Sequence, residues 1–123
     1  MLQPLAIVFY ERIMPGSQLV NRLRDLGYRV MAVDQAALLV VTVRREMPLL
    51  ILADLKAKSD VVEAIKTIKA NPDTSHIPVI AFAPENDPVL SDAAQKTGAN
   101  LAVAESMTAS YLPQLLEQVL RVD

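Results

Sequence analysis

Three carboxylates that follow apolar runs are the residues of this chain best placed to do chemistry. Asp54 ends the apolar run 49–53 (LLILA), Glu11 follows the run 5–9 (LAIVF) by one residue, and Glu105 follows residues 101–104 (LAVA). A carboxylate at the carboxyl end of a buried parallel strand faces the crevice in which open α/β sheets bind their ligands. Three carboxylates converging on one crevice could hold a hard cation such as Mg²⁺. The alternative is that they are solvated acids at strand ends.

Other catalytic chemistry has little support in the sequence. The chain contains no cysteine, which excludes disulfides, thiol catalysis and thiolate metal sites. The single histidine, His76, precedes Ile77 and Pro78 in a predicted loop with no nucleophile beside it, so we expect a surface side chain rather than a general base. The three glycines form no phosphate-cradling loop, and the serines and threonines form no triad. We therefore expect no enzymatic activity.

Composition indicates one small domain with an aliphatic core. The 123 residues suit a single domain spanning residues 1–123, and a hydrophobic content of 52% with only 4% aromatic residues is typical of strands sandwiched between helices. A formal net charge of -2 gives no basic field for nucleic acid and no polybasic patch for a membrane surface. The apolar runs are too short to span a bilayer, and the first residues show no leader pattern, so we expect a cytoplasmic location.

Five apolar runs alternate with five helical patterns along the chain. Strands are predicted at residues 5–9, 28–33, 49–54, 77–83 and 101–104. A first helix is predicted from Pro15 to just before Gly27, and further helices at residues 35–47, 60–70, 87–97 and 108–121. The helix at 35–47 is the ambiguous one, because residues 38–43 (LLVVTV) also have strand propensity.

This alternation predicts an α/β fold, a doubly wound five-stranded parallel sheet with helices on both faces. Right-handed crossovers give the flavodoxin-like strand order 2-1-3-4-5. In that order the first and third strands are neighbours, so the strand end that carries Tyr10 and Glu11 lies beside the one that carries Asp54. Lys56, two residues past Asp54, could fold back on it as an internal counter-ion.

Three segments resemble the receiver domain of bacterial two-component response regulators, and the resemblance covers essentially the whole chain. They are PLLILADL (48–55), IKANP (68–72) leading into HIPVIAF, and GAN (98–100). The resemblance implies a phosphorelay role in which Asp54 carries the phosphoryl group. It also implies that an acidic pair at Tyr10 and Glu11 should hold Mg²⁺, and this chain retains only Glu11 of that pair. A one-residue shift in the comparison would instead put Phe9 and Tyr10 at the pair, and both acids would then be lost.

The residues that the family uses around its aspartate are mostly replaced. Ala83 stands where a Ser or Thr bonds the phosphoryl group, Ala102 where an aromatic switch residue stands, and Glu105 where the family has a lysine. The loop after Asp54, which begins with Lys56, is one residue shorter. A hydroxyl donor is lost and a cation becomes an anion, and both changes disfavour a phosphorylated state. We therefore expect a pseudo-receiver that signals through phosphorylation-independent protein–protein interaction.

Two alternatives stay open on the sequence. The first is an atypical but competent receiver, phosphorylated on Asp54 with Mg²⁺ held by Glu11 and Asp54. The second is a small flavodoxin-fold enzyme or ligand-binding domain. Under the receiver interpretation the partners are signalling proteins such as a histidine kinase or an output domain, or a second copy of the chain in a homodimer. No cofactor is expected unless the first alternative brings Mg²⁺.

The second predicted helix carries more apolar residues than one core face needs. Leu39, Val40 and Val43 form the expected core face, and Leu38 and Val41 fall outside it. Extra apolar residues on an outward face indicate a partner or self-association surface, unless the helix is tilted so that it buries them. Receivers more commonly dimerise through a different surface, which here comprises residues 87–97 with Ser110, Gln114 and Gln118.

Overall fold

The chain folds around one parallel sheet, in a computed structural model that describes residues 4–11, 13–55, 61–83, 98–104, 108 and 110–120. The five strands lie in the order β2-β1-β3-β4-β5. They are β1 (Leu5–Phe9), β2 (Arg29–Val33), β3 (Leu50–Asp54), β4 (Val79–Ala83) and β5 (Leu101–Ala104). The predicted fold class and strand order are confirmed, and β1 and β3 are hydrogen-bonded neighbours.

Four helices lie within the described residues. They are α1 (Ile13–Asp25), α2 (Ala36–Glu46), α3 (Val61–Ala70) and α4 (Leu112–Leu120). The helix predicted at residues 87–97 lies outside the described part of the chain. Of the helices that are described, none has both the length and the apolar character needed to cross a membrane.

Each face of the sheet packs on its own aliphatic core, because side chains alternate along the strands. On one face Ile7, Ile51 and Val79 pack with residues of α2 and α3. On the other face Val8 and Leu52 pack with residues of α1 and α4. The central strands β3 and β4 are buried at every position, which explains why their sequences are continuous apolar runs rather than alternating patterns.

The ambiguous segment 35–47 forms the helix α2. Leu39 and Val43 are fully buried in the core beneath it, so tertiary packing outweighs the strand propensity of the segment. Met47 follows the helix in a left-handed conformation, with φ 46 and ψ 64. Its N–H donates to the carbonyl of Val43 at 2.9 Å, and Pro48 comes next, which cannot continue the helix.

The start of α1 differs from the prediction, whereas its end agrees with it. The sequence predicts a start at Pro15, but the helix begins at Ile13. Pro15 therefore lies inside the first turn, where a missing N–H breaks no helical hydrogen bond. Gly27 closes the helix in the left-handed region, with φ 93, and its N–H donates to the carbonyl of Arg24 at 3.0 Å.

Two other element starts are later than predicted. β4 begins at Val79 rather than at residue 77, because the N–H of Ile77 donates to the carbonyl of Thr74 in the preceding turn (3.0 Å). The last helix is predicted to begin at residue 108. Residues 108 and 110 are helical, but residue 111 is a turn, and the continuous helix α4 begins at residue 112. Pro113 is the second residue of α4, a position in the first turn that tolerates proline.

Lys69 and Asn100 join α3 to β4 and β5 at the amino edge of the sheet. The Nζ atom of Lys69 donates to the carbonyl of Ile77 and to the Oδ1 atom of Asn100, both at 2.7 Å. The same Oδ1 atom accepts the N–H of Val79 at 3.0 Å. Burial lowers the pKa of Lys69 below its ordinary value. Two of the segments that carry the family resemblance, 68–72 and 98–100, therefore meet in a structural contact far from Asp54.

Candidate functional site

Asp54 is the last residue of β3, at the carboxyl edge of the sheet. It is aligned with Phe82 of β4, and the residue before it, Ala53, is aligned with Phe9 of β1. The N–H of Leu55 donates to the carbonyl of Phe82 at 2.9 Å, so strand pairing continues past the carboxylate. Asp54 is 0% exposed. The central acid is therefore at the edge of the sheet where ligands bind in such folds, but its side chain is closed to solvent.

Tyr10, at the first position of the family's acidic pair, packs against α1. It follows β1 directly, and its N–H donates to the carbonyl of Val33 at 3.0 Å. Its ring lies against Gly16 of α1, in the space that a Cβ atom at position 16 would occupy. The ring is also in contact with the core beneath α1 and α4. Tyr10 is therefore a packing residue, and Gly16, which has no side chain, is what makes room for it.

Glu11 and Asp54 are the two carboxylates that the described residues bring to the ends of β1 and β3. Glu11 is half-buried, and Asp54 is fully buried. Within the described residues, no group of three or more His, Cys, Asp or Glu side chains could hold a metal ion. Mg²⁺ gives up its water reluctantly and keeps several waters when bound, which a carboxylate without solvent access does not accommodate. Among the described residues, the burial of Asp54 counts against a Mg²⁺ site, and Mg²⁺ held by Glu11 and Asp54 stays a prediction.

The alanines at the two switch positions have different surroundings. Ala83, the last residue of β4, is 4% exposed and packs in the core beneath α2 and α3. Ala102 of β5 is aligned with Ala81 and is exposed.

Glu105 and Lys56 lie outside the described residues, so the predicted counter-ion and the third carboxylate stay predictions. The sheet therefore brings together four of the predicted site residues at the ends of three adjacent strands: Tyr10, Glu11, Asp54 and Ala83.

The outer face of α2 presents a second candidate site. Leu38 and Val41 are 48% and 57% exposed, so the alternative in which a tilted helix buries them is wrong. Beside them is a shallow groove of about 380 Å³, which we call the α2 groove. Its lining comprises Val41, Arg44, Arg45, Met47, Asp73 and Thr74. The sequence pointed to Val41 on this face, but it missed the groove itself, because the turn that carries Asp73 and Thr74 is distant from α2 in the chain.

The remaining predicted surface residues lie as their sequence context suggests. His76 is exposed in the turn before β4, as expected of a surface histidine. Ser110, Gln114 and Gln118 are exposed along the last helical segment. The rest of that predicted dimerisation surface, residues 87–97, lies outside the described part of the chain.

Comparison with known proteins finds solved structures of the same fold and no match by sequence. No protein-family model matches the chain, and no curated protein matches it. The receiver domain of the sensor histidine kinase PA1611 from Pseudomonas aeruginosa PAO1, solved with a magnesium ion in its active site cleft, matches with a TM-score of 0.89 and 20% identity. That match covers 98% of this chain and 100% of the other.

Two further solved structures show the same likeness. The chemotaxis response regulator CheY4 of Vibrio cholerae matches with a TM-score of 0.84 and 16% identity, over 97% of this chain and 100% of that one. The receiver domain of a signal transduction histidine kinase from Syntrophus aciditrophicus matches with a TM-score of 0.85 and 20% identity, over 98% and 95% of the two chains. The fold of this chain is therefore the fold of response-regulator receiver domains, as the three sequence segments implied.

Proposed function

We propose that this chain is a pseudo-receiver, a receiver-fold domain of bacterial two-component signalling that acts through protein contacts and not through phosphorylation of Asp54. The observation that carries the proposal is the burial of Asp54, which is 0% exposed at its strand end. Phosphoryl transfer needs the phosphodonor in line with the accepting oxygen, and a fully buried carboxylate offers no such approach. The proposed partners are signalling proteins such as a histidine kinase or an output domain.

The groups around Asp54 support the same proposal. Ala83 supplies no hydroxyl, and a hydrogen bond to a charged group contributes about 1.5–3 kcal/mol. Tyr10, packed on Gly16, presents a ring where the family has a metal-binding acid. Glu105 directly follows β5 in the sequence, where the resemblance implies a lysine. A carboxylate ~4 Å from a phosphoryl group would repel it by about 4 kcal/mol at an effective dielectric constant near ~20.

A competent receiver is the alternative function, and one observation favours it. Glu11 and Asp54 lie at the ends of neighbouring strands, and the PA1611 receiver, which has the same fold, was solved with magnesium in its cleft. For this alternative to hold, the side chain of Asp54 must become accessible in solution.

Incubation with a small phosphodonor tests the proposal directly. The chain is treated with acetyl phosphate or phosphoramidate in the presence of Mg²⁺, and its intact mass is measured. We expect the mass to stay unchanged. A stoichiometric acyl phosphate that disappears in the Asp54→Asn variant would overturn the proposal and establish the competent receiver instead.

A triple variant separates the burial of Asp54 from the replacement of the groups around it. Tyr10→Asp, Ala83→Ser and Glu105→Lys together restore the acid, the hydroxyl and the cation that the family uses. Because the burial of Asp54 carries the proposal, we expect the folded triple variant to stay unmodified as well. An acyl phosphate on Asp54 of the triple variant, and not of the original chain, would show that the three replacements rather than burial prevent phosphorylation.

A further inference from the structure

We propose that the α2 groove binds an acidic amphipathic helix of a partner protein. This inference rests on the proposed function, because it names the surface through which a phosphorylation-independent module would act. The groove lies at the amino edge of the sheet, since Met47 precedes β3 and Thr74 precedes β4 in the chain. Asp54 lies at the other end of β3, and a five-residue strand spans roughly 16 Å. A ligand in the groove therefore does not depend on the chemical state of Asp54.

The apolar part of this surface has the spacing that receives a helix. Leu38 and Val41 lie at positions i and i+3 of α2, on one stripe of its outer face, and are 48% and 57% exposed. Met47, at the end of the same helix, is 46% exposed. Amphipathic helices dock in apolar grooves through residues spaced at i, i+3 or i+4, and i+7. The exposed stripe and the adjoining groove together offer the complementary surface for such a helix.

Met47 is hard to explain by the stability of the isolated fold. Its φ of 46 lies in the left-handed region, where a glycine or asparagine would be accommodated with less strain. The same residue exposes a large apolar side chain to water. Both features disfavour methionine in the free domain. A methionine in contact with a partner is expected, because its flexible thioether adapts to apolar surfaces.

The charges around the groove select the chemistry of the occupant. The lining contains two cations, Arg44 and Arg45, and one carboxylate, Asp73. Arg45 lies 3.5 Å from Glu46 in an exposed ion pair, whereas Arg44 has no ion-pair partner among the described residues. A helix that presents apolar residues to the groove and carboxylates to Arg44 complements this arrangement, and a basic helix does not.

Two peptide libraries test this proposal. Both display short helical peptides with leucines at i, i+3 or i+4, and i+7, and they differ only in the flanking charged positions, which are Asp and Glu in one library and Lys and Arg in the other. Each library is selected on the immobilised full chain. We expect enrichment from the acidic library only. The best acidic peptide is then synthesised, and its affinity is measured by fluorescence anisotropy.

Substitutions in the chain assign the binding surface. We expect Val41→Glu and Arg44→Glu each to weaken the acidic peptide at least tenfold. Tyr111→Glu is the matched control, because Tyr111 is 51% exposed but lies on another part of the surface, next to α4, and we expect no change. A peptide with its charged positions reversed should bind Arg44→Glu better than it binds the original chain.

Three results would overturn the inference. The first is enrichment from neither library, or from the basic one. The second is peptide binding that does not change in Val41→Glu. The third is a homodimer in analytical ultracentrifugation that Val41→Glu dissociates, because a second copy of the chain would then occupy this face. None of these results bears on the phosphodonor assay, which reads out modification at the opposite edge of the sheet. The two proposals can therefore fail separately.

Discussion

The ring of Tyr10 packs on the backbone of Gly16, so the residue that follows β1 and a residue in the first turn of α1 are fitted to one another. A glycine inside a helix is destabilising by about 0.5–1 kcal/mol relative to alanine. The contact explains why glycine is present here, since a Cβ atom would overlap the ring. The aromatic residue at the acidic-pair position is therefore built into the packing of the domain.

We predict that Gly16→Ala destabilises the domain by about 1–3 kcal/mol, because the added methyl group overpacks the ring. In a Tyr10→Ala background the same substitution should be neutral or stabilising by up to about 1 kcal/mol, since only the helix propensity is left. Urea unfolding of the four proteins gives the coupling free energy between the two positions. A coupling energy near zero would show that the ring does not occupy this space in solution.

Asn100 is predicted to be the most sensitive polar residue at the amino edge of the sheet. Its Oδ1 atom accepts both the Lys69 ammonium and the N–H of Val79. Asn100→Ala leaves both donors without this acceptor and should destabilise the domain by about 1–3 kcal/mol. Asn100→Asp keeps an acceptor for both and is the matched control, with a stability at or above that of the original chain. Equal losses for the two variants would contradict this assignment.

We predict that ionisation of Tyr28 destabilises the domain at alkaline pH. Burial raises the pKa of its phenol above the ordinary value of 10.0. Its contribution to stability is therefore fully present below pH 10.0 and is lost as the pH rises through the folded-state pKa. Tyr28→Phe cannot ionise, so the difference in unfolding free energy between the original chain and this variant should shrink across that range. A difference that is independent of pH would rule this out.

Lys69 should change the unfolding free energy with pH in the opposite direction to Tyr28. Burial lowers its pKa below the ordinary value of 10.5, so the unfolded chain binds more protons than the folded one between the lowered value and 10.5. The unfolding free energy of the original chain, relative to a Lys69→Met variant, should therefore rise with pH in that window. Chemical denaturation at a series of alkaline pH values measures the pH dependence of both the Tyr28 and the Lys69 contributions. If the unfolding free energy relative to Lys69→Met falls with pH in this window, the predicted direction is wrong.

Met47→Gly should stabilise the free domain by up to about 1 kcal/mol, because glycine adopts the left-handed conformation of residue 47 without strain. Met47→Ala is the control, since it shortens the side chain but keeps the backbone strain, and it should not be stabilising. Thermal unfolding of the three proteins makes the comparison. A lower midpoint for the glycine variant would show that the side chain of Met47 contributes more to the free fold than its exposure suggests.

Neighbouring leucines of α2 should respond very differently to truncation. Leu39 is 0% exposed, and Leu39→Ala should cost about 2–5 kcal/mol through lost burial and a residual cavity. Leu38 is 48% exposed, and Leu38→Ala should change stability by less than about 0.5 kcal/mol. Urea unfolding of the two variants tests the orientation of the helix. Similar losses at both positions would mean that α2 is rotated or shifted relative to the sheet.

The order of strands and helices could be predicted because the hydrophobic pattern is strong where the sheet is most buried. β3 and β4 are buried throughout, and their apolar runs were unambiguous. The predicted first residue of an element was less accurate where backbone hydrogen bonds, rather than the hydrophobic pattern, set the start. Ile77 is an example, because its N–H donates to a carbonyl of the preceding turn and not to a strand. The segment 38–43 could not be assigned from propensity alone, since its helix depends on the core beneath Leu39 and Val43.

The sequence by itself determined the fold class and the position of Asp54 at a strand end, and its resemblance to receiver domains implied the replacement of the groups that would stabilise a phosphoryl group. These follow from residue types and their order, which need no coordinates. Only the tertiary structure decided that Asp54 is closed to solvent, that Tyr10 packs on Gly16, and that Met47 lies beside Asp73 in one groove. The reason is that each of these depends on how side chains from separate segments share space, and that is settled by packing across the sheet rather than by any local pattern.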